Sequence, residues 1–329
     1  METRNVVLVT GGAGYIGSHV CKALKMEGFD PVVFDDLSQG HPWAVKWGDF
    51  EQGSVLDRES LFSVVEKHNP IGIIHLAGKI VVSESWKKPE YYYENNVEGM
   101  RNVIDVAQQL KIKHFLFSST AAVYGTVKEF LIKEDACLDP GSPYGSTKLE
   151  AEKILMEKFK NYEGNFIIFR FFNASGADLD GDTGEAHYPE THLIPRVLDA
   201  AKGEGEFVVY GNDYPTKDGT CIRDYIHVSD LAQANILGLN YLMNGGKSEI
   251  FNLGTEEPYS VLDVLKTAQN ITKKEIKYRV EARREGDMPL LVASNGKAKK
   301  ILGWEPKYSQ LETIVESAWK WHNYNQPKI

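Results

Sequence analysis

The sequence predicts an α/β protein of Rossmann type, in which a doubly wound, mostly parallel sheet is joined to a smaller mixed α/β lobe that binds substrate. Two observations lead to this prediction. Short apolar, β-branched stretches alternate with helical patterns through the first half of the chain, and the first of these stretches ends in a glycine cluster. Strands that are separated by helices in this way form parallel sheets with helices on both faces.

The predicted strands are apolar runs of six to nine residues. They lie at 5–10, 31–36, 71–78, 114–120 and 165–173. After about Ala174 the chain becomes rich in Gly, Asp, Pro and Thr, which is typical of a loop that crosses between regions. We therefore expect a nucleotide-binding domain over 1–175, rejoined by about 224–254, and a substrate-binding domain built from 176–223 and 255–329. Helices near 197–201 and 260–269 and a strand at 207–211 are expected in the second domain.

Composition argues against several classes of protein. The 329-residue chain has 37 Lys plus Arg against 46 Asp plus Glu, a formal charge of −9, and no strongly basic run, which disfavours nucleic-acid binding. Its three cysteines are widely spaced and form no Cys-x-x-Cys pair, as is typical of a reducing compartment. No apolar run approaches the roughly 20 residues of a membrane span, and no secretion signal precedes the first strand. We predict a soluble cytoplasmic protein.

A glycine-rich turn predicts a dinucleotide site. Gly11, Gly14 and Gly17 form G-x-x-G-x-x-G between the first strand and the first helix, with Tyr15 and Ile16 inside the motif. Small residues there let the backbone approach a pyrophosphate at the positive end of the helix. Glycines also serve tight strand-to-helix turns for structural reasons alone, so the motif needs its context.

Two aspartates supply that context. Asp35 ends the second strand 18 residues after Gly17, where a carboxylate can accept hydrogen bonds from the adenosine ribose of NAD and repel the 2′-phosphate of NADP. Asp36 adds to this preference, although an exposed turn aspartate is the alternative interpretation. The remaining candidates for the cofactor site are residues near the ends of other predicted strands, Leu76, Ala77, Gly78, Ser118 and Phe172, together with Asn95.

A tyrosine and a lysine predict the catalytic chemistry. Tyr144 and Lys148 stand four residues apart at the start of a helical stretch and therefore share one face. Because a free tyrosine has a pKa of about 10, a nearby ammonium that favours the phenolate would make it a better base. Thr120, at the end of the preceding strand, is the predicted third member, which would relay a proton from a substrate hydroxyl to Tyr144. An ordinary surface Tyr/Lys pair is the alternative interpretation.

These elements resemble the extended short-chain dehydrogenase/reductase family, through TGGAGYIG (10–17), SST (118–120) and Tyr-x-x-x-Lys. Four further segments resemble the UDP-glucose 4-epimerases of that family: YENNVEG (93–99), FRFFNASGA (169–177), GNDYPTKDGTCIRDYIHVSDLA (211–232) and RREGDMP (283–289). The resemblance implies that bound NAD takes a hydride from C4 of a UDP-hexose while Tyr144 removes the hydroxyl proton. The transient 4-keto sugar then turns, and the returned hydride inverts C4.

The resemblance also implies substrate contacts. Asn173, Arg223 and Arg284 would contact the pyrophosphate, Asp287 the uridine ribose, and Tyr210 and Leu193 the uracil. Three positions depart from the family pattern. Phe171 stands where a tyrosine is common, His192 where an asparagine is common, and Ser54 where an aspartate is common near adenine. The polar contacts at those positions are therefore open.

The sequence leaves some alternatives. A sugar-nucleotide 4,6-dehydratase would carry Asp-Glu after Thr120, where this chain has Ala121 and Ala122. A cofactor-sensing protein without turnover would not need Tyr144 and Lys148. Leu291 stands where side-chain bulk admits or excludes an N-acetyl group, so N-acetylated UDP-hexoses and uronates stay open as substrates. The family implies a homodimer, and because the histidines, His227 included, lack metal-ligand spacing, we predict no metal site.

Overall fold

The computed structural model describes residues 5–125, 129–284, 287–325 and 327. The strands are β1 (Val6–Thr10), β2 (Asp30–Asp35), β3 (Asp49–Gln52), β4 (Gly72–His75), β5 (His114–Thr120), β6 (Asn165–Phe171), β7 (Asn173–Ser175), β8 (Phe207–Tyr210), β9 (Ile222–Arg223), β10 (Tyr225–His227), β11 (Glu249–Leu253), β12 (Tyr259–Ser260), β13 (Tyr278–Glu281) and β14 (Leu290–Leu291). The α-helices are α1 (Tyr15–Met26), α2 (Arg58–His68), α3 (Val82–Ser85), α4 (Pro89–Tyr93), α5 (Gly99–Gln109), α6 (Pro143–Phe159), α7 (Leu193–Lys202), α8 (Val228–Met243), α9 (Val261–Thr272), α10 (Gly296–Leu302) and α11 (Leu311–Lys320).

One large sheet organises the molecule. Within the described residues, seven strands lie in the spatial order β11-β6-β5-β4-β1-β2-β3, and every neighbouring pair is parallel. The chain runs outward from β1 through β2 to β3 and then returns to the other side of β1 at β4. This reversal leaves a crevice at the carboxyl ends of β1 and β4, where α/β proteins bind their ligands. The predicted doubly wound Rossmann fold is confirmed.

Apolar helix faces cover both sides of this sheet. On one face α1 and α8 bury Val20, Leu24, Leu231 and Leu239 against the strands. On the other face α2, α5 and α6 form a second core against the same strands. Burial of these side chains is the main favourable term that holds the layers together.

A smaller lobe stands at the carboxyl edge of the sheet. Helices α7, α9 and α11 pack around a core that includes Val197, Val264 and Ile314, and β8 pairs with β13 beside them. The described residues also form two small sheets outside the large one, β12-β9-β14 and β10-β7. Among the described residues, no helix is both long and apolar enough to span a membrane.

Within the large sheet, the sequence prediction missed strand β3; the short strands β9, β12, β13 and β14 outside this sheet were also not predicted. The edge strand β3 has the polar sequence DFEQ, and most of its residues are exposed. An edge strand with one neighbour needs no apolar pattern, because its pairing with β2 rests on backbone hydrogen bonds. Its lack of an apolar signal explains why the sequence did not reveal it.

Candidate active site

One cavity of about 1290 Å³ lies where the small lobe meets the carboxyl ends of the large sheet. Its walls contain all the residues that the sequence predicts for cofactor, catalysis and substrate, together with Phe171 and His192. Ser54 is not among the lining residues, although its neighbours Gly53 and Val55 are. The fold therefore gathers side chains from both halves of the chain around a single space.

The glycine turn is packed too closely for side chains. Gly11 has a φ of +75°, and a Cβ atom there would lie 2.6 Å from the backbone nitrogen of Ala77. A Cβ atom on Gly17 would lie 2.1 Å from the carbonyl oxygen of Gly11. Helix α1 begins at this turn without a capping side chain, so its first N–H groups are available to an anion. The turn fits the diphosphate of a dinucleotide.

Asp35 is held rigidly at the end of β2. Its two carboxylate oxygens accept hydrogen bonds from the backbone N–H groups of Ala13 at 3.0 Å and Leu37 at 2.8 Å. Burial raises the pKa of Asp35, and these two hydrogen bonds oppose that rise. Each carboxylate oxygen keeps a lone pair, so Asp35 can still accept ribose hydroxyls. Asp36 follows it and accepts a hydrogen bond from the N–H of Ser38 at 2.9 Å.

The start of α6 brings the catalytic candidates together. Ser142 caps this helix by accepting a hydrogen bond from the N–H of Gly145 at 3.1 Å. Tyr144 and Lys148, one turn apart, are both buried. The Lys148 ammonium donates to the carbonyl oxygen of Ser118 at 2.8 Å, and the Thr120 hydroxyl forms a hydrogen bond with Tyr144. A phenol, a hydroxyl and an ammonium thus meet beside the cavity.

Burial is the largest influence on the pKa values of Tyr144 and Lys148. It raises the pKa of Tyr144, which the hydrogen bond with Thr120 opposes. It lowers the pKa of Lys148 to about 8, which the nearby carboxylate of Glu152 opposes. The sequence predicts that the Lys148 ammonium favours the phenolate of Tyr144. In the structure, burial is the largest influence on the pKa of Tyr144, and the influence that opposes it comes from Thr120.

The opposite wall of the cavity carries the predicted substrate residues. Arg284 donates to Asp287 at 2.9 Å, and Arg223 lies 3.5 Å from the same carboxylate. The Arg284 guanidinium also lies over the Tyr210 ring, 5.0 Å from its centre. Asn173 donates from its side chain to the carbonyl oxygen of Asp224 at 2.8 Å. Two guanidinium groups and an aromatic ring are thus close enough to share one nucleotide.

The family is decided by comparison with known proteins. Residues 7–254 match the NAD dependent epimerase/dehydratase family. The chain belongs to this family. Its full-length relatives include the UDP-glucose 4-epimerase of Rhizobium meliloti (strain 1021), which is 47% identical over 97% of each chain.

Solved structures of similar proteins agree with this assignment. A crystal structure of UDP-glucose 4-epimerase from Brucella ovis in complex with NAD superimposes with a TM-score of 0.94 at 44% identity, covering 96% of this chain and 97% of that one. A UDP-glucose 4-epimerase from Bifidobacterium longum, in complex with NAD+ and UDP, gives a TM-score of 0.92 at 35% identity, covering 97% and 98%. The resemblance inferred from the sequence motifs is confirmed.

In this NAD dependent epimerase/dehydratase chain, Lys79 is a cavity residue that the sequence analysis missed. Its ammonium donates to the Ser38 hydroxyl at 2.8 Å and lies 5.3 Å from the centre of the Tyr91 ring. The side chain of Asn96 fixes the Lys79 backbone, accepting from its N–H at 2.7 Å and donating to its carbonyl at 3.0 Å. Its position in the loop directly after β4 was the available signal, since such loops carry ligand contacts in this fold.

A cluster of histidine and glutamate side chains was also missed. The Nδ1 atom of His192 lies 2.7 Å from Glu185 Oε1 and 2.9 Å from Glu190 Oε1, and the Nδ1 atom of His187 lies 3.0 Å from Glu185 Oε1. Burial disfavours the charged form of His192, but the two carboxylates outweigh it and hold its pKa well above the usual value. His192, which departs from the family pattern, is therefore engaged with carboxylates beside the cavity.

Proposed function

We propose that this chain interconverts UDP-galactose and UDP-glucose by inverting C4 of the hexose with NAD. The observation that carries the proposal is the meeting of Tyr144, Thr120 and Lys148 in a cavity that also contains the glycine turn and the two guanidinium groups of Arg223 and Arg284. The relatives named UDP-glucose 4-epimerase support the same reaction.

The residues of the chain divide the chemistry between them. Bound NAD supplies an acceptor for the C4 hydride and gives the hydride back, so no external oxidant is consumed. Thr120 binds the 4-hydroxyl, and Tyr144 takes its proton as the ketone forms and returns the proton when the opposite alcohol forms. Because burial raises the pKa of Tyr144, this transfer requires a positive charge near the phenol. We assign that charge to Lys148, which lies one helical turn away and lines the same cavity.

Substrate binding is concentrated on the nucleotide. Arg223 and Arg284 would hold the diphosphate, with Asn173 beside them, and Asp287 would receive the uridine ribose, while Tyr210 and Leu193 would flank the uracil. Arginine suits this task because its planar fork can donate two parallel hydrogen bonds to phosphate oxygens. Holding UDP firmly leaves the 4-keto hexose free to present its other face, which inversion requires.

Dehydration is disfavoured by the residues that follow Thr120. Ala121 and Ala122 form a short 3-10 turn there, and their methyl groups cannot move protons. A 4,6-dehydratase needs an additional acid and base to eliminate water from C5 and C6. This wall of the cavity therefore supports epimerisation.

We further propose a cytoplasmic homodimer. Cys21 and Cys221 lie buried as free thiols, which suits a reducing compartment. Met156 on α6 and Tyr93 on the neighbouring α4 are exposed and offer apolar surface to a second copy. Light scattering of the purified protein would measure its mass in solution.

The test is product identification. The purified protein is incubated with UDP-galactose without added cofactor, and the products are separated and identified by NMR. We expect UDP-glucose, and in a parallel reaction slower turnover of UDP-N-acetylglucosamine. A 4-keto-6-deoxy product would identify a dehydratase, and recovery of unchanged UDP-galactose from folded, NAD-loaded protein would refute catalysis.

A further inference from the structure

Four potential metal ligands converge in the segment that leads into α7. They are Glu185, His187, Glu190 and His192, and each offers one ligand atom such that all four atoms lie within 4.8 Å of one another. The segment lines the cavity, but the cluster has no part in the proposed reaction. Two imidazole nitrogens and two carboxylate oxygens are a ligand set that zinc accepts in proteins.

The spacing of the four atoms suits a small tetrahedral site. Metal–ligand bonds of about 2.0–2.1 Å place neighbouring ligand atoms of a tetrahedron about 3.3 Å apart. The distances from the His192 Nδ1 atom to the two carboxylates are 2.7 and 2.9 Å. Those from the His187 Nδ1 atom are 3.0 Å to Glu185 Oε1 and 3.9 Å to Glu190 Oε2, whereas His192 approaches the other oxygen of Glu190, Oε1. The observed range brackets the tetrahedral edge, so shifts of a few tenths of an ångström would complete the site.

The charges of this cluster also favour a cation. The side chains of Glu185 and Glu190 are 8% and 14% exposed, and among the described residues their ion-pair partners are His187 and His192 alone. Two carboxylates this close repel each other unless a positive charge lies between them. Either a protonated imidazole or a metal ion can supply that charge.

A neighbouring acidic cluster offers a direct contrast. Asp178, Asp180 and Asp182 surround the ammonium of Lys22, which lies 2.8, 2.8 and 3.0 Å from their carboxylates. The positive charge in that cluster is a lysine ammonium, which is not a metal ligand in proteins at neutral pH, whereas the imidazoles of His187 and His192 can exchange a proton for a metal ion. The histidine–glutamate cluster has no lysine or arginine among the ion-pair partners that the described part of the chain provides.

The ligands are held in place by their surroundings. The indole N–H of Trp321 donates to the Glu185 carbonyl oxygen at 2.9 Å. The Glu190 carboxylate accepts from the backbone N–H groups of Thr191 and His192, both at 2.7 Å. Anchored ligands lose little conformational entropy on metal binding, which raises affinity.

We propose that Glu185, His187, Glu190 and His192 bind one divalent cation of the zinc class. Four protein ligands complete a tetrahedral shell, which is typical of structural rather than catalytic zinc. The nitrogen ligands favour zinc or cobalt over magnesium or calcium, which prefer oxygen alone. The ion would hold the loop of residues 185–192 in one conformation before α7, on the side of the cavity where the Tyr15 ring lies 6.3 Å from His187.

The sequence predicts no metal site, so the proposed site at this cluster departs from that prediction. The spacing Glu-x-His-x-x-Glu-x-His lies in a loop and matches none of the helical or Cys-based ligand patterns that sequence motifs describe. The four side chains come together because residues 185–192 fold back before α7, and sequence periodicity does not predict the path of such a loop. Metal binding can be measured independently of epimerase activity.

The experiment uses cobalt and zinc as probes on the full-length protein after treatment with a chelator. We expect one Co²⁺ per chain with the intense visible absorption of a tetrahedral site, displacement of Co²⁺ by Zn²⁺, and a higher melting temperature with Zn²⁺. Glu190→Gln and His187→Gln should each weaken Zn²⁺ binding at least about tenfold. Asp180→Asn, in the lysine-filled cluster, is the matched control and should bind zinc as the wild type does.

Three outcomes would overturn the proposal. They are wild-type protein that takes up no cobalt, cobalt with the pale spectrum of an octahedral surface site, and zinc affinity that is unchanged in His187→Gln and Glu190→Gln. Either of the first two would leave the cluster as an ion-pair network only. If a variant fails to fold, as judged by circular dichroism, the cobalt spectrum and stoichiometry of the wild type decide the question.

Discussion

At the scale of single residues, the reactive groups are distinguished by their burial. Tyr144 and Lys148 lie one helical turn apart, as their spacing predicts, but no sequence pattern indicated that both would lie almost out of solvent. Burial raises the pKa of the phenol and lowers that of the ammonium to about 8. The site therefore holds a lysine whose charge is costly to maintain.

Replacing this lysine should stabilise the protein at neutral pH. Burying the charged Lys148 side chain lowers the unfolding free energy, and this cost is complete at neutral pH, where Lys148 is protonated in both states. Between pH 8 and the ordinary lysine pKa the unfolded chain binds more protons than the native chain, so the cost becomes smaller as pH rises. We expect Lys148→Met to raise the unfolding free energy by on the order of 2 kcal/mol near pH 7, with little gain near pH 10. Urea unfolding of both cofactor-free proteins at the two pH values measures this difference. An equal gain at both pH values would show that burial of the charged ammonium is not the cause.

At the scale of secondary-structure elements, a buried ion pair fixes α6, which carries Tyr144 and Lys148, against the sheet. Glu152 on α6 accepts two hydrogen bonds from Arg170 on β6, at 2.7 and 3.0 Å, and a short one from Ser119 on β5. Arg170 also donates to the Tyr124 hydroxyl at 2.8 Å. The strands and the helix could be predicted from periodicity. This network could not, because a glutamate in a Lys- and Glu-rich helix looks like a surface residue until the partner strand is placed.

Breaking this pair should cost stability. Glu152→Gln leaves the Arg170 guanidinium buried without its counter-charge, and we expect a loss of roughly 3–5 kcal/mol in unfolding free energy. Glu157→Gln, at an exposed position on the same helix, should change it by less than about 0.5 kcal/mol. Urea denaturation of the two variants provides the comparison. Equal midpoints would mean that the buried pair does not hold the helix.

At the scale of the whole molecule, the parallel sheet and the small lobe together line the cavity of about 1290 Å³. The fold class and the strands around the glycine turn followed from alternating patterns in the sequence. The meeting of distant side chains did not: Arg223 and Asp287 are 64 residues apart and their side chains approach to 3.5 Å, while Glu185 to His192 form their cluster through loop geometry. A sequence pattern predicts the type and position of a single helix or strand. Contacts between elements depend on how the whole chain folds, so no such pattern predicts them.

Arg223, on the side of the cavity opposite Tyr144, should control the affinity for substrate. If Arg223 holds the diphosphate as proposed, Arg223→Ala removes a substrate contact far from C4, so we expect KM for UDP-galactose to rise roughly tenfold or more with a smaller change in kcat. Arg279→Ala is the control, because the exposed Arg279 side chain pairs with Glu206 and Glu281 outside the cavity. Steady-state kinetics would separate the two parameters. A loss confined to kcat would place Arg223 in the chemical step instead.

The proposed reaction depends most on the phenol of Tyr144, and Tyr144→Phe tests it most directly. The variant keeps the ring and loses only the hydroxyl that hydrogen-bonds with Thr120. The rate of UDP-glucose formation from UDP-galactose is measured for NAD-loaded wild type and variant under saturating substrate. We predict a fall in kcat of about 100-fold or more with little change in melting temperature. Epimerisation at the wild-type rate by the phenylalanine variant would contradict the role of Tyr144 as the acid and base.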